Sequence, residues 1–481
     1  MTDVIVIGAG VIGCAVAREL ARFSLRVVVL EKARDVAEGA TKSNSAIVHA
    51  GHDAPPDTHK ARFNVMGNAL FEALCRELDV PFRRNTSLVA AFSPADLHAL
   101  EELKARGDKS GVPGLHIAKR SEVRALEPAI GREVCAALVA PTGAICCPYE
   151  LTFRLAENAA ANGVAFHFSC GVRTVAREDG GWRVETKEGR SFKARAVVNA
   201  AGLYADVLNN QVSAEKLTIT PRRGEYLMID KAYAGSFRAT VFQVPTPMGK
   251  GILVTPTVDG TLMVGPTAEN IADKTDTRTT AEGLAKIRQA ASRLWNGFPV
   301  NGVIATFAGL RAHGDRGDFV IGEPPDAPGF FNAAAMDSPG LTAAPAVGAY
   351  LAEQIAGKLG AEKRSDFVAA PTHWPVFRSM SMEGRVAALA LDPAHGHIVC
   401  RCENVSEAEI RASIRCRIGA RTLDGVKRRT RAGMGRCQGG FCTTRILAIL
   451  CEELGLAPEE VTKFGGGSHV LFSCGKELPL P

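Results

Sequence analysis

The sequence predicts an α/β protein in three parts: a dinucleotide-binding βαβ unit, an antiparallel-sheet domain, and a small helical C-terminal module. Three observations carry that expectation. A glycine-rich turn joins an apolar strand to a helix at the N-terminus, the pattern from 217 to 267 alternates through repeated turns, and seven of 13 cysteines lie at or beyond position 400. At ~150 residues per domain, a chain of 481 residues makes two to four domains with ample core.

Composition fixes the class. With 46% apolar and 22% charged residues, disorder, collagen and coiled coil are excluded as the main architecture. No uncharged apolar run reaches 18 residues, so no transmembrane helix is expected. The opening MTDVIVIGAGVIG lacks the basic region of a secretory signal and has an acid at position 3. The expectation is a cytoplasmic protein, reaching the inner face of a membrane only through a partner. The net charge of +6 is local: residues 401–450 hold 11 Lys/Arg against 4 Asp/Glu, which leaves −1 for the rest. No nucleic-acid partner is expected from so confined a patch. An odd cysteine count without an export signal argues against disulfides, and the clustering asks for a chemical reason.

Residues 3–7 (DVIVI) read as a buried strand, 11–23 as a helix and 26–31 (RVVVLE) as a second strand. Between them lies Gly8-Ala9-Gly10-Val11-Ile12-Gly13. Gly8 permits the tight turn, Gly10 lets the backbone approach a pyrophosphate, and Gly13 lets helix and strand pack closely. Glu31 ends the second strand 18 residues after Gly13, where a carboxylate can accept from ribose hydroxyls. This is the Rossmann-like context such a motif requires, and a single N-terminal copy favours one bound dinucleotide.

Residues 39–52 form a Gly/Ser/Asn/His loop, and 60–78 and 94–106 read as helices. A helix over 150–162 leads into strands at 164–169, 181–186 and 196–199. The alternation over 217–267, with turns at PRRGEY, VPTPMGKG and TVDGT, reads as antiparallel sheet. Helices follow over 281–296 and 340–357, and Pro and His thicken at 371–374 and 393–397, which places a linker at 366–396. Two of these stretches favour FAD over NAD. Ala196–Gly202 is an apolar strand ending in small residues that a cofactor can pass closely. Asp337-Ser338-Pro339-Gly340-Leu341-Thr342 opens a helix whose N-terminus suits the flavin pyrimidine oxygen.

In GAGVIGCAVAREL, SNSAIVHAG, VVNAAGLYAD, RRGEY, VFQVPTPMGKGILVTPTVDG, MVGPTA, FAGLR and DSPGLTAAPAVG, residues 1–365 resemble the FAD-dependent glycerol-3-phosphate oxidase/dehydrogenase group. That group lies in the D-amino-acid oxidase-like superfamily, near L-2-hydroxyglutarate oxidase. The resemblance implies an FAD-binding domain from 1–85, 145–215 and 300–365, capped by a substrate domain from 86–144 and 216–299. It implies cofactor contacts at Gly8, Gly10, Val11, Ile12, Gly13, Glu31, Lys32, Thr41, Ser43, Asn44 and Ser45. It implies others at Val172, Ala200, Ala201, Gly202, Asp337, Ser338, Gly340, Leu341 and Thr342. His49 is implied as the base for the substrate hydroxyl, a group that ordinarily titrates near neutrality. Lys250 is implied as a polar reach from the sheet toward substrate, and Arg311 as a fork for a carboxylate or phosphate. The bland alternatives are a satisfied polar histidine, an exposed hairpin lysine and a structural ion pair. The chain departs from its relatives at Asp337, where some carry a basic residue; a carboxylate there would repel a phosphate and leave room for a hydroxy acid or an amine. Arg222 and Arg223 could supply positive charge, but their direction is not legible.

Cys400-Arg401-Cys402 is followed by 34 residues and then Cys437-Gln-Gly-Gly-Phe-Cys442. Two close pairs can converge four thiolates on one centre. Structural zinc more often uses CxxC pairs, and zinc and unligated thiols both stay open on spacing alone. With the run TRAGMGRCQGGFC, the pattern resembles the bacterioferritin-associated-ferredoxin-like [2Fe-2S] domain, placed over 397–455 with a tail at 456–481. The basic residues then have two uses: to stabilise a negatively charged cluster, or to dock an acidic redox partner. Cys416, Cys451 and Cys474 read as structural.

The resemblance implies a dehydrogenase that oxidises glycerol-3-phosphate to dihydroxyacetone phosphate by hydride transfer to flavin N5. Electrons would pass through the [2Fe-2S] cluster to a partner subunit or quinone. The alternatives are an oxidase or dehydrogenase of L-2-hydroxyglutarate, another 2-hydroxy acid or an amino acid, and a non-catalytic redox-sensing flavin/iron–sulfur protein.

Overall fold

The computed structural model describes residues 2–245, 251–370 and 373–473. Its first sheet has eight strands among the described residues, built around Thr2–Ile7, with Val27–Leu30 parallel on one side and Ser191–Asn199 parallel on the other. Ala165–His167 extends it beyond Val27–Leu30, and Phe330–Ala334 pairs parallel with the end of Ser191–Asn199. The near-continuous apolar runs follow from burial on both faces. Val4, Ile5 and Val6 are fully buried. On one face lie the helices Val11–Leu20, Pro148–Ala161 and Gly340–Leu359, packed by small residues: a Cβ at Gly348 would meet Ala15 at 2.9 Å. Gly67, on the helix His59–Glu77, leaves no room for a side chain, since its Cβ would lie 1.9 Å from the Thr342 carbonyl oxygen.

The second sheet has nine strands among the described residues. Ile219–Ile229 pairs antiparallel with Leu262–Gly265 and with Val303–Gly314 along nearly its whole length. One junction is parallel: Thr240–Gln243 against Ser87–Ala91, which stitches the two halves of this domain together. The helix Ala281–Leu294 buries Ile287, Ala291 and Leu294 against the sheet and is entered at Thr280, whose N–H and hydroxyl both donate to the Glu225 carboxylate.

The strand Val303–Gly314, within the 300–365 expected in the FAD-binding domain, pairs in this second sheet. Its apolar pattern fits a strand in either sheet, and only tertiary pairing decides. The expected linker is also more than a linker: it holds the helix Met382–Leu391, capped by the Ser381 hydroxyl.

The C-terminal module has a hairpin, Ile398–Cys400 with Val405–Ser406, and the helices Glu407–Arg415, Leu423–Thr430 and Thr443–Leu454. Ser406 and Glu409 form a reciprocal capping box at the first of these helices. Its core gathers Val405, Ile410, Ile414, Val426, Ile446 and Leu450. No helix among the described residues is long and apolar enough to cross a membrane.

Candidate active site

The turn after Thr2–Ile7 shows why its glycines stand where they do. Gly8 has φ +105°, and a Cβ there would lie 2.4 Å from the Ala200 carbonyl oxygen. A Cβ at Gly13 would lie 1.9 Å from the Gly8 carbonyl oxygen. Gly10 offers no side chain to cap the helix Val11–Leu20, so its first turn faces a cavity of about 470 Å³ with N–H groups available. Thr41 Oγ1 accepts from the Val11 N–H at 3.1 Å.

Gly8, Gly10, Val11, Ile12, Glu31, Lys32, Thr41, Ser43, Asn44 and Ser45 all line this cavity. So do Val172, Ala200, Ala201, Gly202, Asp337, Ser338, Gly340 and Leu341. Gly13 and Thr342 do not. Gly13 packs behind the turn, and Thr342 is fully buried, its Oγ1 accepting from the His49 N–H at 2.9 Å. Thr342 therefore positions His49 and is not a wall of the cofactor cavity. Glu31 accepts from the Ala9 N–H at 2.7 Å and the Ala33 N–H at 2.8 Å, and its burial pushes its pKa above the usual carboxylate range. Lys32 sits over the Tyr204 ring, 3.9 Å from its centroid. The helix Gly340–Leu359 also opens toward the cavity without a side-chain cap at Pro339. The helix start that faces the cavity, the close glycine backbone and the Glu31 carboxylate beside it fit a dinucleotide.

His49 and Arg311 line the same cavity, at the end bounded by Asp337 and Ser338. His49 Nε2 lies 3.4 Å from Ser338 Oγ. Its backbone is fixed from three directions: Thr342 holds the N–H, and Asn64 and Asn68 each donate to its carbonyl at 3.0 Å. Those two asparagines were not anticipated. They stand four apart on the helix His59–Glu77, and that spacing on one face was the available signal. Arg311 Nη2 donates to the Thr267 carbonyl at 3.0 Å. Lys250 and Cys474 lie outside the described residues.

Asp337 does not stand as a bare negative charge at the substrate end. Lys60 Nζ lies 2.7 Å from one of its oxygens and His313 Nδ1 lies 2.9 Å from the other. The repulsion expected from the sequence is offset by the Lys60 ammonium, contributed from another element. Of the two arginines in RRGEY, Arg223 points away into Glu269 and Asp276, at 2.7 and 3.1 Å.

In the C-terminal module the four expected thiols form two pairs. Cys402 Sγ lies 3.6 Å from Cys437 Sγ, and Cys400 hydrogen-bonds with Cys442, which holds the Cys400 thiol down to about 6. Among the described residues no three Cys, His, Asp or Glu side chains converge on one ion position. Two thiol pairs fit a [2Fe-2S] centre, in which each iron takes two thiolates. Burial opposes ionisation of Cys437, but its hydrogen bonds with Cys402 and with the N–H groups of Gly439, Phe441 and Gly440 hold its pKa below the ordinary value. A Cβ at Gly435 would meet the Cys402 Cβ at 2.2 Å, so the backbone wraps tightly there.

Part of the basic stretch is turned inward, while Arg401, Arg415, Arg417, Arg421, Arg436 and Arg445 stay exposed. Arg428, Arg429 and Arg431 are less than a tenth exposed. Arg428 and Arg429 bind Asp35, and Arg431 bridges Asp259 of the substrate domain to Glu403. Arg436 reaches Asp230 at 2.7 Å. Charge that looked free in the sequence fastens the module to the body.

A family model for FAD dependent oxidoreductases matches residues 3–354, and one for the BFD-like [2Fe-2S] binding domain matches residues 398–452. The chain is 46% identical over 474 residues to a glycerol 3-phosphate dehydrogenase of Caloramator mitchellensis, covering 98% of each protein. It is 32% identical over 353 residues to a glycerol 3-phosphate oxidase of Mycoplasma pneumoniae, covering 72% of this chain and 92% of that one. The solved structure of the dithionite-reduced L-alpha-glycerophosphate oxidase of Mycoplasma pneumoniae with FAD bound is similar at TM-score 0.73 and 30% identity, covering 78% of this chain and 99% of that one.

Proposed function

The chain belongs to the family of FAD dependent oxidoreductases and carries a BFD-like [2Fe-2S] domain, and from that premise we propose that it oxidises glycerol 3-phosphate to dihydroxyacetone phosphate. Electrons then leave through the cluster to a redox partner or a quinone, in the cytoplasm. The observation that carries this reading is that His49, Ser338 and Arg311 line the same cavity as the Gly8–Gly13 turn. The relative of 46% identity spans both the body and the cluster module, which supports a dehydrogenase over a sensor.

Bound FAD supplies the acceptor for a hydride, and the cluster a one-electron carrier beyond it. His49 takes the proton of the substrate hydroxyl as the hydride leaves the same carbon. Its imidazole can do this only from a fixed position, which Thr342, Asn64 and Asn68 provide through its backbone. Arg311 offers its guanidinium to the anionic end of the substrate.

The test is anaerobic. Holoprotein is mixed in turn with glycerol 3-phosphate, L-2-hydroxyglutarate and a panel of amino acids while the long-wavelength flavin band is followed. Bleaching by glycerol 3-phosphate alone supports the proposal. Bleaching only by an acid or an amine overturns the substrate, and no bleaching by any of them overturns the enzymatic reading.

A further inference from the structure

Arg222 and Arg311 are direct partners across the antiparallel strands Ile219–Ile229 and Val303–Gly314. Residues paired in this way project from the same face of a sheet, and like charges placed so are destabilising unless something offsets them. No carboxylate among the described residues forms a direct ion pair with either. Arg222 Nε donates to the Asn270 side-chain oxygen at 2.8 Å and Arg311 Nη2 to the Thr267 carbonyl at 3.0 Å, both neutral acceptors. Neighbouring Arg223 is the contrast, with its charge met by Glu269 and Asp276. The carboxylate that acts on Arg222 from a distance, Asp337, is already engaged by Lys60 and His313.

The face that bears the two arginines is shaped to leave them in place. Gly224 lies two residues from Arg222, and a Cβ there would come within 2.4 Å of Arg311 Nη2. Gly309 lies two residues from Arg311, and a Cβ there would come within 1.9 Å of the Ser43 carbonyl oxygen. Two missing side chains thus let the Arg311 guanidinium lie across the sheet and let the cofactor-lining loop approach the same face. Tyr226, next along that face, closes it with its hydroxyl 3.0 Å from Ser45 Oγ.

We propose that Arg222 is a specificity-determining residue: with Arg311 it forms a paired-guanidinium clamp for a doubly charged phosphate monoester. Two forks that share one face and lack a carboxylate match a dianion in charge and in hydrogen-bond geometry, whereas the single carboxylate of a hydroxy acid or amino acid satisfies only one. The clamp rests on the reading that the cavity beside His49 is the substrate site, and it names the feature of the substrate that Arg222 selects.

The experiment uses flavin-loaded, cluster-replete protein and two probe ions that undergo no oxidation, sulfate as dianion and acetate as monoanion. Binding is read as perturbation of the flavin absorbance. In Arg222→Gln, sulfate affinity falls at least tenfold while acetate affinity changes less than threefold, and the KM for glycerol 3-phosphate rises at least tenfold. Arg222→Lys, which keeps the charge without the fork, recovers part of the sulfate affinity. Flavin content equal to that of the unsubstituted protein shows that the fold is intact; if Arg222→Gln loses flavin, Arg222→Lys alone is read, and sulfate affinity equal to the unsubstituted protein's overturns the fork. Equal losses for the two ions in Arg222→Gln, or no loss of sulfate affinity, overturn the clamp. Glutarate binding more tightly than sulfate also overturns it, in favour of a dicarboxylate. Sulfate selectivity that depends on Arg222 in a protein whose flavin glycerol 3-phosphate fails to bleach would keep the clamp and sink the substrate, so the two failures are distinguishable.

Discussion

Arg429 forks its two terminal nitrogens onto the two oxygens of Asp35, at 2.6 and 2.7 Å, with both side chains buried. Arg428 adds a third contact at 3.0 Å. The carboxylate belongs to the loop that follows Glu31, and the guanidiniums belong to the cluster module. Breaking a buried pair by removing one partner leaves an uncompensated charge and typically costs about 3–5 kcal/mol. Arg429→Met should sit at the low end of that range because Arg428 remains, and flavin-detected thermal unfolding measures it. Burial alone would raise the Asp35 pKa, but the Arg429 charge overcomes it and holds it below the ordinary value. Its contribution to stability is therefore complete above the unfolded pKa, about 4, and disappears as pH falls through the lower folded value. The difference in melting temperature between the unsubstituted protein and Asp35→Asn should shrink below about pH 4.

Glu150 runs the other way. Burial, only partly opposed by Arg154, pushes its pKa up to about 7. The folded protein therefore holds a proton that the unfolded chain releases from about pH 4.3 upward, and stability falls as pH rises from there to about 7. Glu150→Gln should raise the melting temperature at pH 8 and change it little at pH 4. A lower melting temperature for the variant at pH 8 would show that Glu150 is needed as a carboxylate.

Thr342→Val keeps the shape of the side chain and removes the acceptor for the His49 N–H. The buried donor left unsatisfied costs about 1–3 kcal/mol. Flavin reduction by substrate should slow because the imidazole loses one of its three backbone anchors. His49→Asn should slow it further, by about 10²–10⁴-fold if the imidazole is the general base. Stopped-flow reduction rates for both variants, with flavin content measured alongside, separate positioning from proton transfer.

Cys402→Ser removes one thiolate from the pair with Cys437. Acid-labile sulfide and iron per chain should both drop sharply. Retention of full iron and sulfide would show that Cys402 is not a ligand.

The parts of this molecule that were legible in the sequence are those with local reasons. The turn from Gly8 to Gly13 is constrained by its own backbone and its immediate neighbours, so residue spacing alone predicts it. The four cluster thiols are legible through the short spacings Cys400-Arg401-Cys402 and Cys437–Cys442, although in the fold each pairs with a partner across the module. The strand Val303–Gly314 pairs in the second sheet, and its pattern would be the same whichever sheet received it. Asn64 and Asn68 act on a carbonyl 15 and 19 residues upstream, and their four-residue spacing on one helix face marks a shared contact without naming its target. The inward turn of Arg428 and Arg429 was hidden for the same reason at greater range, since Asp35 lies 393 and 394 residues away. Asp337 looked repulsive because Lys60 and His313 meet it only in the fold.

The loop 31–41 has the cofactor cavity on one side, through Glu31, Lys32 and Thr41, and the module's arginines on the other, through Asp35. Whichever neighbour orders that loop first lowers the ordering cost for the second, and the effect is reciprocal. Where the iron centre orders the module, its maturation and the retention of the flavin are expected to be coupled. A chain produced under iron starvation should also be the chain that gives up its flavin on dilution, and the ratio of flavin to protein after gel filtration reads that coupling directly.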